Sequence, residues 1–239
     1  DTADGAITAT AAGLLTATDV VAGGSTGDSV TLSTTTGGSV ATLVTGADAV
    51  SITASAGDVT IGALTATAGT LGVTATAGSI NDAADDNVAD FTAGGLITLT
   101  AQDEIGVLAA GTDTDLEFAA GSSVDVSSTS AGAIDLDGLG ALTLTDVDTA
   151  DGAITVTAAG NLVATAVDAA DAGSDETHAV SLTASTGDVT IGAITADSTL
   201  TLIATAGSIN DAGDDATTDL TSATNAIVLT AQDEIGGGA

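Results

Sequence analysis

The side chains most able to do chemistry are carboxylates gathered in short, glycine- and alanine-bordered segments. Asp82, Asp85, Asp86 and Asp90 form one such group, and Asp211, Asp214, Asp215 and Asp219 repeat it later in the chain. Asp168, Asp171, Asp175 and Glu176 form another, and Asp146, Asp148 and Asp151 precede Gly152. Calcium takes roughly six to eight hard oxygens in flexible geometry, which acidic turns and backbone carbonyls supply. These loops are therefore candidate calcium sites, with a solvated acidic loop as the plainer alternative. None matches an EF-hand: after Asp146 and Asp148 the fifth position is Ala150, and the glycine falls one residue late. The calcium-binding nonapeptide is also absent, and Gly23-Gly-Ser-Thr-Gly-Asp28 only approaches it.

Other constellations are weaker. Asp103-Glu104 and Asp233-Glu234 offer paired carboxylates, but neighbours on a strand point to opposite faces and do not converge on one substrate. With no basic residue to abstract a proton from a sugar and only Phe91 and Phe118 as rings, no enzymatic role is expected. His178, the single histidine, reads as an exposed loop residue that could join a metal site only beside carboxylates. Thr-x-Thr pairs such as Thr98/Thr100 and Thr155/Thr157 suggest a polar outer face. A hydroxyl lattice for ice or for glycans is the more specialised reading of them.

Composition narrows the partners. The 239 residues carry 33 acidic side chains and no lysine or arginine, a formal charge of −33. Such a chain repels nucleic acid and anionic membrane surfaces, so neither is an expected partner. No run of about 18 apolar residues exists, so no membrane-spanning helix is expected. Hydrophobic residues nonetheless make up 44%, which separates the chain from acidic disordered sequences. They are small aliphatics without Trp, Tyr, Met, Cys or Pro, suited to a thin interior with walls about 10 Å apart.

The elements that hold these residues follow from internal repetition. Asp1-Thr-Ala-Asp-Gly-Ala-Ile-Thr8 returns at Asp148 to Thr155, an offset of 147 (148 minus 1). Gly57-Asp-Val-Thr-Ile-Gly-Ala63 returns at Gly187 to Ala193, an offset of 130 (187 minus 57). Two modules result, 1–147 and a shorter second copy at 148–239, in one continuous solenoid. The first copy holds about 17 more residues (147 minus 130) before Val50, around Ser29–Thr34 and Ser39–Val44, which look like an inserted coil. Alternation of aliphatic and threonine, as in Ile97-Thr-Leu-Thr100, has the period of two that marks strands. Turn pairs such as Gly-Asp and Asp-Gly separate the runs. The expected fold is all-β: a right-handed parallel β-helix of about 12 coils, each of roughly 18 to 22 residues. Tandem immunoglobulin-like sandwiches are the alternative.

Asp151-Gly-Ala-Ile-Thr-Val-Thr-Ala-Ala-Gly160, Gly57-Asp-Val-Thr-Ile-Gly62 and the Leu-Thr-Ala-Gln-Asp-Glu-Ile-Gly endings resemble repeats of filamentous-haemagglutinin-type bacterial exoproteins. The resemblance implies a long right-handed β-helix that is secreted and used for adhesion or biofilm contact. Together with the thin core, it leads to the expectation of a structural module in an extracellular filament, matrix or surface layer. Self-association, or membership in a longer chain of like modules, is the expected partnership. An adhesin rod recognising glycans or neighbouring cells is the alternative, with 109–138, the stretch lacking a second copy, as the place to look.

Overall fold

The computed structural model describes residues 2, 5–23, 27–45, 48–84, 86–107, 115–169, 178–213 and 217–236, with only the backbone described at 39–45. Among them every secondary-structure element is a strand or a turn, and every ladder is parallel. Parallel pairing follows from the repeat: each strand is joined to its partner by a full circuit of chain, not by a tight hairpin. The immunoglobulin-like alternative fails on this point, because such sandwiches pair their strands antiparallel.

Two sheets run side by side. The path of the first passes through Ile7–Ala11, Val30–Thr34, Val50–Ala54, Leu71–Ala75 and Ile97–Ala101. It continues through Ser122–Ser128, Leu142–Thr149, Leu162–Ala169, Val189–Ala196 and Ile209–Asp211. The second passes through Leu15–Ala17, Gly38–Thr45, Val59–Ala66, Phe91–Ala93 and Leu116–Phe118. It ends through Ile134–Gly138, Ile154–Ala158, Val180–Ala184, Leu200–Ala204 and Ile227–Ala231. Strands alternate between the sheets along the chain, so each circuit lays one strand on each face. The segment Val30–Thr34 and Gly38–Thr45 adds one strand to each sheet, as a solenoid accepts an insertion.

Like residues stack on like. Ile134, Ile154, Val180, Leu200 and Ile227 form one inward column, and Leu136, Val156, Leu182, Leu202 and Leu229 the next. A third column is Gly138, Ala158, Ala184, Ala204 and Ala231, small because the chain turns there. Where a hydroxyl replaces alanine at such a corner it bonds the backbone: Ser128 Oγ donates to the Asp103 carbonyl at 2.7 Å, and Thr149 Oγ1 to that of Gly132 at 2.7 Å. Outward columns alternate with these and carry threonine, serine and aspartate, as in Thr157 beside Thr183.

Circuit length varies in a way that locates the site. Val30 to Val50 is 20 residues and Leu142 to Leu162 is 20, but Ile97 to Val124 is 27 and Leu162 to Val189 is 27. Long circuits keep the register of their flanking strands around an added stretch. One at 83–90 splits what would be a single strand into Ile80–Asp82 and Phe91–Ala93, both paired to Val59–Ala66. In the next circuit Ile105 bridges Ile80 and Ile134, and the second sheet resumes at Leu116. At 212–219 the second copy repeats the first split, between Ile209–Asp211 and Leu220–Ser222.

Equivalent strands of the two copies lie in opposite sheets. Val50–Ala54 belongs to the first sheet, whereas Val180–Ala184, 130 residues later (180 minus 50), belongs to the second. The repeat period therefore holds an odd number of half-circuits, and the two sheets are interchangeable by half a turn about the stack.

Close stacking leaves no room at certain turns. A Cβ on Gly132 would sit 2.0 Å from the Asp103 carbonyl oxygen in the circuit below. Gly132→Val is expected to lower stability by about 1–3 kcal/mol through overpacking. Thermal melts checking this should show Gly121→Ser, where nothing lies within 4 Å of the added atom but φ is +86°, as a milder change from backbone strain alone. Equal losses would show that packing at Gly132 is not the constraint.

Candidate acidic site

Asp82, Asp90 and Glu117 meet on adjacent levels of the second sheet. One ligand oxygen from each lies within 4.8 Å of the others, and all three side chains are buried. Asp82 ends the strand before the first excursion, Asp90 closes that excursion, and Glu117 sits in the short strand after the second. The backbone ties them: Asp90 N–H donates to the Glu117 carbonyl at 2.9 Å, and Glu117 N–H donates to Asp90 Oδ2 at 3.1 Å. Asp82 Oδ1 accepts from Ala84 N–H at 3.0 Å, which shapes the exit of the excursion.

The floor of this site is aromatic. Each of Asp90 and Glu117 directly precedes a phenylalanine, and Phe91 and Phe118 are register partners. Their rings stack with centroids 5.1 Å apart and planes inclined by 16°, fully buried. These rings anchor two long circuits to one another. Phe118 is thus part of the core, and the strands Leu116–Phe118, Ser122–Ser128 and Ile134–Gly138 place most of the stretch without a second copy inside the stack.

Burial sets the protonation of the triad. Desolvation pushes the Asp90 carboxyl up to about 10, helped by its hydrogen bond with the Glu117 side chain and by the charges of Asp82 and Glu117. At neutral pH Asp90 is therefore a neutral acid beside the Glu117 side chain. A divalent cation at the same point would do the same electrostatic work, with three carboxylates supplying part of the six to eight oxygens that calcium takes. Proton and cation would compete for the same oxygens.

The remaining acidic candidates divide. Asp86 is exposed and caps its own turn through Val88 N–H at 2.8 Å. Asp85, Asp171, Asp175, Glu176, Asp214 and Asp215 lie outside the described residues. Asp146, Asp148 and Asp168 do not form loop sites; they line the outer face of the first sheet. There Asp125 pairs in register with Asp146, and Asp148 with Asp168. Asp148 accepts from Ser127 Oγ at 2.9 Å. Its carboxyl is pushed up by partial burial and by the charges of Asp146, Asp125 and Asp168, the Ser127 hydrogen bond opposing them. Burial, then the neighbouring Asp137, raises Asp135 to about 6. Asp211 and Asp219, the second-copy counterparts of Asp82 and Asp90, line an open cavity of about 320 Å³ with Ile209, Leu220 and Leu229.

Two side chains depart from the sequence reading. His178 is buried, not exposed: Nε2 lies 2.6 Å from Asp151 Oδ1 and Nδ1 3.5 Å from Asp197 Oδ2. Asp151 is held here instead of joining Asp146 and Asp148, so the imidazole links three successive levels of the stack. Glu117 was not among the candidates. Its signal was present as Asp-Phe and Glu-Phe 27 residues apart (118 minus 91), the length of a long circuit.

Comparison of the chain with protein-family models, with curated proteins and with solved structures finds no match in any of the three.

Raised carboxyl values fix the direction of the pH dependence. Below the ordinary value of 3.8 the folded and unfolded chains both hold these protons. As pH rises the unfolded chain loses them first, so folding is progressively disfavoured, up to about 6 for Asp135 and about 10 for Asp90. In chelator, the melting temperature should fall between pH 5 and pH 8. Asp90→Asn, which keeps the shape without the charge, should flatten that decline above pH 6. An unchanged slope in this variant would remove Asp90 as its source.

Proposed function

We propose that this chain is a structural module of an extracellular filament, matrix or surface layer, built as a right-handed parallel β-helix. The observation that carries the proposal is the uninterrupted parallel ladder, which commits nearly every described strand to stacking. Right-handedness is supported by the strong preference of parallel crossover connections for that hand. An extended stack with a regular polar exterior serves spacing and mechanical continuity better than catalysis, and no catalytic role is proposed. The likeness to filamentous-haemagglutinin-type repeats supports the same reading and an extracellular or cell-surface location. The adhesin alternative has less support, because the ring of Phe118 lies in the core and is not presented to a glycan.

Calcium belongs to this proposal as a counter-ion with one preferred position. At −33 with no basic side chain, the stack accumulates like charges in columns, which screening or bound cations must offset. The Asp82, Asp90 and Glu117 triad is where a specific ion would sit, and extracellular modules commonly bind calcium at about 10⁻⁴–10⁻³ M.

Two measurements test this. Cryo-electron microscopy of the source material should show filaments with an axial repeat near 4.8 Å. Separate globular beads without that spacing would overturn the structural reading. Calcium should raise the melting temperature more than magnesium at equal ionic strength, and Asp82→Asn with Glu117→Gln should remove the difference. Equal effects of the two ions would reduce calcium's role to screening.

A further inference from the structure

On the outer face of the first sheet, hydroxyls stack in register. Thr10, Ser33, Thr53, Thr74 and Thr100 form one column, across the ladders that join Ile7–Ala11, Val30–Thr34, Val50–Ala54, Leu71–Ala75 and Ile97–Ala101. A second column runs beside it from Thr8 to Thr98 through Thr31 and Ser51, interrupted at Gly72. These side chains alternate with the aliphatic inward positions and are half-buried or exposed. Their hydroxyls bond no other described residue. Hydroxyls at the corners of the stack differ: Ser128, Thr149 and Ser222 each donate to a backbone carbonyl.

The face is also free of charge, in a chain that carries −33. No carboxylate occupies the outward positions of these strands. On the strands that follow in the same sheet, Asp125, Asp146, Asp148 and Asp168 do. A neutral hydroxyl donates one hydrogen bond and accepts others, and threonine sets a methyl group beside it. Threonine is stiff at χ1, and like neighbours one level above and below restrict it further. The partner that fits this face is neutral, donates and accepts at every contact, and repeats at the spacing of the stack.

Crystalline water meets those conditions. Water molecules hydrogen-bond at about 2.75 Å, so tetrahedral geometry sets second neighbours about 4.5 Å apart. Levels of the stack are about 4.8 Å apart, a mismatch that grows to only about 1.2 Å from the first row to the last. Along the strand the two columns lie about 6.6 Å apart, against about 7.3 Å for the repeat of puckered tetrahedral layers, and with two columns this difference does not accumulate. A glycan fits less well, because sugar faces stack on aromatic rings and Phe91 and Phe118 are both fully buried.

We infer that the threonine and serine face spanning Ile7–Ala11 to Ile97–Ala101 binds the surface of ice. Its hydroxyls hold a layer of water in lattice positions, and the fixed side chains meet most of the ordering cost on folding instead of on binding. Ice bound this way grows only between the attached molecules, which curves its surface and lowers the temperature at which it advances. This role goes beyond the structural-module reading and uses a face that the stacking itself leaves open.

The test is nanolitre osmometry on the 239-residue chain, with the shape of single ice crystals recorded during slow cooling. Faceted crystals and a gap between melting and freezing temperatures are expected. Thr53→Glu with Thr74→Glu places charge at the centre of the face and should abolish both. Thr157→Glu with Thr183→Glu makes the same change on neighbouring strands of the second sheet and should leave both in place. Circular dichroism checks folding; if the Thr53 and Thr74 pair fails to fold, Thr53→Leu with Thr74→Leu replaces it, removing the hydroxyls without adding charge. Folded wild-type chain that leaves ice crystals round overturns the inference. So do two glutamate pairs that behave alike. Retention on insoluble cellulose or chitin without any effect on ice would overturn it in favour of a glycan partner.

Discussion

The parallel backbone ladder is the constraint from which the rest of this molecule follows. Along each sheet, strands within the path bond to the strand one circuit before and one circuit after, at a spacing of about 4.8 Å. That spacing forces each side chain to sit on its counterpart in the neighbouring circuit, so the sequence must keep inward columns uniformly aliphatic and corner columns small. The Ile134-to-Ile227 column and the glycine–alanine column beside it are the result. A core only two walls thick has little use for large rings, and the one aromatic pair occurs where circuits are longest.

The same ladder makes charge an awkward cargo. Aspartates in outward columns are brought into register with one another, as Asp125 with Asp146 and Asp148 with Asp168 show. Their carboxyls cannot spread apart without breaking backbone bonds. The molecule answers in three ways: protons held on buried acids, as on Asp90 beside Glu117; a lone imidazole between Asp151 and Asp197; and serine hydroxyls interleaved between carboxylates, as Ser127 is against Asp148. Each substitutes for the basic side chains that the sequence lacks.

Excursions are how the ladder tolerates variation. An added stretch of 83–90 or 107–115 leaves the register of the flanking strands intact, so loops can be gained without disturbing the core. The residues flanking these stretches are placed on adjacent levels, which is why Asp82, Asp90 and Glu117 converge on one buried acidic site. A fold of this kind creates sites by stacking strand ends on adjacent levels.

Much of this was determined by the sequence alone. The aliphatic–threonine alternation, the turn pairs and the 130-residue repeat pointed to strands in repeating circuits, because local periodicity and covalent repetition are written along the chain, while the parallel pairing that excludes sandwiches came from the ladder. The inserted circuit near Val30–Thr34 could be read for the same reason. What only the tertiary structure decided were the relations across circuits. That Asp82 and Asp90 share a site with Glu117, that Asp151 leaves its neighbours for His178, and that the two copies lie in opposite sheets all depend on circuit length. Circuit length is the sum of strands and ejected loops, and no local pattern tells a loop that leaves the stack from one that turns within it. The register of the backbone bonds makes that distinction, and the chemistry follows the register.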